Sequence, residues 1–122
     1  MKLSVIVPVY NEKETIPTVI DQIQEVPAEK EIIIVDDSST DGTRTVIENI
    51  KADNIKKVFH KKNQGKGAAI KSAIPLVEGD IVIIQDADLE YHPDEYLHLI
   101  KPITRNRADV VFGSRFIGAH RC

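Results

Sequence analysis

Apolar and polar positions divide this chain into a regular alternation. Runs of strand length at 3–9, 31–35, 57–60, 81–85 and 109–112 are separated by stretches whose apolar residues recur at helical spacing. The run at 81–84 is four apolar residues in succession, Ile-Val-Ile-Ile. A continuous apolar run, as opposed to an every-other-residue one, fits a strand covered on both faces, which is the habit of parallel sheets. Between the first two runs Ile16, Val19, Ile20 and Ile23 lie on one helical face, with Asn11 and Glu14 forming a capping arrangement and Pro17 in the first turn. Val46, Ile47 and Ile50 mark a second helix over about 42–51, an alanine-rich third covers 68–77, and Tyr96, Leu97, Ile100 and Ile103 mark a fourth that starts at His92-Pro93-Asp94. Strands joined by helices require right-handed crossovers, so the predicted fold is α/β: a doubly wound, mostly parallel sheet with helices on both faces.

Composition narrows what such a fold is for. With 122 residues the chain is one domain, 1–122, and can build a core without staples. Its net charge of −3 argues against nucleic acid as a partner. The single cysteine, Cys122, can form no disulfide within the chain and is expected to be a spectator. No apolar stretch approaches the roughly 20 residues that span a bilayer, and the amino terminus lacks the pattern of a secretory signal. A cytoplasmic location is therefore expected.

The candidate chemistry sits at the ends of the strands. In doubly wound sheets ligands bind beyond the carboxyl ends of the strands, near a switch in strand order. The polar clusters fall there: Tyr10-Asn11-Glu12 after the first strand, Asp36-Asp37 after the second, a Lys61–Gly67 loop after the third, Asp86 and Asp88 after the fourth, Ser114-Arg115 after the fifth. Alternate residues of an extended segment point the same way, so Asp86, Asp88 and Glu90 can converge on one point. An isolated D-x-D is most often a solvated acidic loop. Here the surrounding lysines, glycines and arginine favour a hard divalent cation with a phosphorylated ligand, Arg and Lys taking the phosphate charge that the metal leaves over. Asp41 and Gly42 are expected to shape a helix entry, and Lys61-Lys62 to be a solvated turn. Lys101, Arg105 and Arg107 read as the charged end of a helix. His60, His92, His98 and His120 lack metal spacing and are expected to be ordinary surface or loop histidines.

The segments P-V-Y-N-E at 8–12, V-D-D-S-S-T-D-G at 35–42, N-Q-G-K-G-A-A at 63–69, D-A-D-L-E at 86–90 and G-S-R-F at 113–116 resemble those of the family 2 inverting glycosyltransferases. The closest likeness is to the branch of dolichyl-phosphate mannosyltransferases and polyprenyl-phosphate glucosyltransferases. The resemblance implies a GT-A fold and transfer of a sugar from a GDP- or UDP-sugar donor to a lipid-phosphate acceptor at the membrane surface. It also implies that Pro8, Tyr10, Glu12 and Asp37 lie against the nucleoside, with Lys66 near the nucleotide. Asp86 and Asp88 would hold Mn²⁺ or Mg²⁺ on the donor diphosphate, with Glu90 a third ligand where mannosyltransferases often have glutamine. Asp88 and Arg115 would be catalytic, Arg115 by contacting a phosphate. Members of the family continue well beyond this length into an acceptor-binding half, so the chain is expected to be truncated, to bind donor weakly alone and to transfer little sugar. Loss of that half should expose apolar surface and favour a homo-oligomer. Other subfamilies place a carboxylate base in that later region, and no candidate lies after Asp109. An acceptor phosphate, with a second pKa near about 6, is already anionic at neutral pH and needs no strong base.

Two other readings compete. One is a binding or assembly subunit without transferase activity. The other is a receiver-type signalling domain, which needs acidic groups after the first and third strands where this chain has them after the second and fourth. A nicotinamide-binding domain is excluded because no G-x-G-x-x-G follows the first strand.

Overall fold

The computed structural model describes residues 2–87 and the strand 110–112. Its elements are β1 (Lys2–Val9), α1 (Ile16–Gln24), β2 (Glu29–Asp36), α2 (Thr43–Glu48), β3 (Ile55–Phe59), α3 (Lys66–Ala73), a 3₁₀ turn (Ile74–Leu76), β4 (Ile81–Ile84) and β5 (Val110–Phe112). The sheet has the order β3-β2-β1-β4-β5, and all four pairings are parallel. The doubly wound α/β sheet expected from the sequence is the fold observed. Its order also sets aside the receiver reading, since receiver modules follow the order 2-1-3-4-5.

Successive residues of β1 serve opposite faces. Leu3, Val5, Val7 and Val9 pack with Ile16, Val19, Ile20 and Ile23 of α1 and with Ile47 of α2. Ile6 faces the other way, onto Ala69 and Ala73 of α3, in company with Ile33, Val35, Val82 and Ile84. Small alanines let α3 approach this face closely, where larger side chains would hold it off. Both faces of β1 are thus covered, as its apolar run predicted.

The amino end of the sheet is closed by polar bonds. Ser4, fully buried, donates from its hydroxyl to Glu31 Oε2 at 2.6 Å and accepts from the Gly79 amide at 2.8 Å. Glu31 also accepts from the Glu78 amide, and Lys56 Nζ lies 2.9 Å from its other oxygen. Burial would raise the Glu31 pKa, but the Ser4, Lys56 and Glu78 contacts outweigh it and hold the carboxyl below its ordinary range. Lys2 and Asp80 exchange two further bonds beside this cluster. The lone hydroxyl in the first apolar run is therefore half of a buried polar lock.

Several local expectations need correction. Asn11 does not cap α1, whose N-cap is Thr15, with no side-chain bond to the helix amides. Asn11 adopts φ +54, which its short amide tolerates, and bridges instead to the β2–α2 loop: its N–H donates to Ser39 Oγ and its side-chain oxygen accepts from the Thr40 amide at 2.8 Å. The second helix is shorter than 42–51. The third starts at Lys66 and gives way to the 3₁₀ turn where Pro75 falls. Asp41 and Gly42 shape the entry to α2 as expected: Gly42 takes φ +99 and the Thr43 amide donates to Asp41 Oδ1 at 3.0 Å. The helix predicted from His92 lies outside the described residues, as do His98, His120, Cys122, Lys101, Arg105 and Arg107.

The packing of the amino-end lock makes Gly79 a sensitive position. A Cβ there would lie 2.6 Å from Ser4 Oγ and 2.8 Å from the Lys2 carbonyl oxygen. Gly79→Ala is expected to cost about 1–3 kcal/mol through overpacking. Urea denaturation should show a lower midpoint with an unchanged slope, and a wild-type midpoint would contradict the close approach.

Candidate functional site

The carboxyl end of the sheet is built differently from the amino end. The order places β1 beside β4, with β2 on the other side of β1, so the chain reverses direction across the sheet between β1 and β4. A cavity of about 310 Å³ opens there. Of the residues singled out in the sequence, Pro8, Tyr10, Glu12, Asp37, Lys66 and Asp86 all line it. Ala69 and Ala87 supply apolar wall. Asp88, Glu90 and Arg115 lie outside the described residues.

The lining residues come from the ends of β1, β2 and β4 and from α3. Pro8 ends the buried run of β1, and Tyr10 just beyond it is 48% exposed, an aromatic ring held in solvent at the mouth. Thr15 ties the loop after β1 to the end of β4 through a hydroxyl bond to the Ala87 carbonyl oxygen. Asp36 closes β2 by accepting from the hydroxyl and amide of Ser39. Asp86, just past β4, is partly exposed, and Lys66 Nζ lies 2.6 Å from its Oδ1. Lys66 is the first residue of α3, so helix geometry directs its side chain back toward the strand ends.

Asp37 holds the glycine-rich loop. Its Oδ1 accepts from the Gln64 amide at 2.9 Å and its Oδ2 from the Gly65 amide at 2.8 Å. The Asn63 side chain donates to the Asp37 carbonyl oxygen at 3.2 Å. Gly65 has φ +97 and ψ 163, a region open essentially to glycine alone, and this turns its N–H toward the carboxylate. α3 has no side-chain cap of its own, so a carboxylate from another strand lies at its positive end. Burial would raise the Asp37 pKa. The two amides and His60 more than compensate, and the carboxyl is held below its ordinary range.

His60 is not the surface histidine the sequence led one to expect. Its side chain is 7% exposed, with Nδ1 at 2.8 Å from Asp37 Oδ1 and Nε2 at 2.7 Å from Ser72 Oγ. The only trace in the sequence is its place at the end of a strand facing an acidic pair, which spacing alone does not distinguish from a loop position.

The cavity wall fits a divalent cation with an anionic ligand. Asp86 offers hard oxygen donors, and its close contact with the Lys66 ammonium marks it as a place where positive charge is stabilised. The Lys66 side chain in this pair is half exposed. No group of three or more His, Cys, Asp or Glu forms a ready ligand set among the described residues. Of the three carboxylates expected from the sequence to hold a metal, Asp86 alone lies among the described residues.

Residues 4–119 match the profile described as glycosyl transferase family 2. The undecaprenyl-phosphate 4-deoxy-4-formamido-L-arabinose transferase of Proteus mirabilis is 34% identical over 106 residues, 81% of this chain and 32% of that protein. The dolichol-phosphate mannosyltransferase of Pyrococcus furiosus is 32% identical, covering 96% of this chain and 34% of its own length. The chain thus spans about a third of the length of these relatives. Among solved structures, a mannosyltransferase from Pyrobaculum calidifontis in complex with GDP-Man and Mn²⁺ superposes with a TM-score of 0.75 at 32% identity, over 84% of this chain and 32% of that one. Glucosyl-3-phosphoglycerate synthase from Mycobacterium tuberculosis, with Mn²⁺, UDP and glucosyl-3-phosphoglycerate, gives 0.68 at 31% identity, over 84% and 39%.

The depressed Asp37 and Glu31 carboxyls fix the sign of an acid effect. Their folded pKa values lie below the unfolded ones, so the stability they contribute is present at neutral pH and is lost in acid, as pH falls through the lowered values. Asp37→Asn should cost about 2 kcal/mol at neutral pH, because the new NH₂ cannot accept from the loop amides, and should flatten the acid limb of urea midpoint against pH. An acid limb as steep as that of the wild type would contradict the assignment to Asp37.

Proposed function

As the chain belongs to glycosyl transferase family 2, we propose that the cavity between β1 and β4 binds the nucleoside diphosphate of a sugar donor. The parent protein would transfer that sugar to a polyprenyl or dolichyl phosphate, at a membrane surface and with inversion. The observation that carries this reading is the gathering of Tyr10, Glu12, Asp37, Lys66 and Asp86 round one cavity at the switch point of the sheet. The relatives support the acceptor class by their names, and the solved neighbours support a nucleotide and Mn²⁺ by what they contain.

Pro8 and Tyr10 offer a rigid apolar edge and an exposed ring for a base to lie against. Asp37 stays ionised and therefore only accepts, which favours a base presenting an N–H. Glu12 can take a ribose hydroxyl. Lys66, released from Asp86, would balance charge on the diphosphate as the bond to the sugar breaks. Asp86, with Asp88 and Glu90, would hold Mn²⁺ or Mg²⁺, and the bound ion supplies Lewis-acid neutralisation of the leaving diphosphate. Arg115 would contact a phosphate of donor or acceptor. Residues 1–122 form the donor-binding part of a longer transferase, the acceptor half lying in further sequence. No helix among the described residues is long and apolar enough to cross a membrane, so on this reading the acceptor headgroup is met at the surface.

Calorimetric titration with UDP and GDP, each with and without Mn²⁺, tests the reading. One nucleotide should bind in a metal-dependent manner. The Asp86→Ala, Asp88→Ala double variant should weaken that binding by roughly tenfold or more, the scale of losing a charged partner in a shielded site. Absence of metal-dependent binding in a folded protein would refute the donor site.

A further inference from the structure

Three buried or half-buried polar groups form a chain of which the donor-site reading uses only the first, Asp37. Asp37 Oδ1, His60 Nδ1 and Nε2, and Ser72 Oγ are linked at 2.8 and 2.7 Å. The same three groups in this order activate a serine in hydrolases. Ser72 does not line the cavity, so here the chain runs from the cavity wall into the helix behind it.

The geometry fixes the direction of the bonds. An ionised Asp37 carboxylate can only accept, so Nδ1–H donates to it, and in the neutral ring Nε2 then accepts from the Ser72 hydroxyl. The ring thus joins the end of β2 to the body of α3. His60 is itself pinned, its amide donating to the Asp36 carbonyl oxygen at 2.9 Å as a continuation of the β2–β3 ladder. The Asp37 carboxylate accepts the Gln64 and Gly65 amides, and Lys66 follows directly. With His60 absent the carboxylate would lose the donor that fixes its plane, and its bonds to the Gln64 and Gly65 amides would weaken. The turn that aims Lys66 at Asp86 would loosen with it.

We propose that His60 is a positioning residue of the donor site, acting through the Asp37 carboxylate to set the Gln64-Gly65 turn and hence the place of Lys66. The proposal rests on the donor-site reading for its effect on nucleotide and stands independently of it for its effect on the turn. The hydrogen bond to Asp37 carries the function, and the bond to Ser72 keeps the ring plane.

The test separates the two bonds. An asparagine at this place can present an N–H where Nδ1 stands and cannot reach Ser72. His60→Asn should retain amide-exchange protection at Gln64 and Gly65 and bind Mn²⁺ with UDP or GDP within about threefold of wild type. His60→Ala should lose protection at those two amides while the β1 and β2 amides stay protected, and should bind nucleotide roughly tenfold more weakly. Ser72→Ala should fall between them. Wild-type protection of both amides in a folded His60→Ala, or an asparagine variant no better than alanine, would overturn the proposal. The unmodified protein provides a check that needs no variant to fold: ¹⁵N chemical shifts of the His60 ring, at about pH 8, should show the proton on Nδ1. A proton on Nε2 would overturn it. Should wild type bind neither nucleotide, the donor-site reading falls and amide protection alone decides the role of His60.

Discussion

A parallel strand covered on both faces can place polar side chains only near its ends, and β1 is such a strand. Leu3, Val5 and Val7 fill one face and Ile6 the other, all fully buried. Water is excluded along its length, so each polar group must be bonded or brought to a rim. The two rims solve this in opposite ways. At the amino end Ser4, Glu31, Lys56 and the Glu78 and Gly79 amides satisfy one another and close the sheet. At the carboxyl end Tyr10, Glu12, Lys66 and Asp86 face a cavity. One polar end is packed shut and holds structure, and the other borders a space that a ligand can enter.

Asp37 stands between these two modes. It lines the cavity, yet most of its hydrogen-bonding capacity is spent inside the protein, on His60 and two loop amides. A glycine loop with Gly65 at φ +97 has many conformations to lose, and a buried carboxylate accepting two successive amides selects one of them. The cationic side of the cavity is therefore fixed by an anion. Lys66 ends up opposite Asp86 because Asp37 and the turn of Gly65 put it there, so the three charges behave as one unit.

Much of this was legible in the sequence. The five strands, the doubly wound class and the rim that carries the polar clusters follow from apolar runs and from the rule that places ligands beyond strand ends. The six described residues expected round the ligand do share one cavity. Misreadings arose where a side chain acts across the chain and not along it. Asn11 has the spacing of a cap, but its amide reaches Thr40; His60 has the look of a loop residue, but its ring is claimed by Asp37 and Ser72. Ser4 interrupts the apolar run at 3–9 for a reason that lies on the next strand, in Glu31. Spacing reports neighbours on one element, while these three residues answer to groups from another strand or loop.

The pairing of β1 with β4 has a consequence for how the molecule comes into being. β1 and β2 can join as soon as both exist, but the other edge of β1 stays unpaired until Leu3 meets Ile81 and its neighbours follow. During synthesis a strand made to be covered on both faces therefore waits with an open row of amides and carbonyls, a template for any other extended chain in reach. The cavity has its second wall only when that wait ends. The strand that makes the binding crevice is thus also the one that removes the chain's most adhesive edge, and slow arrival of β4 would show as aggregation before it showed as lost function.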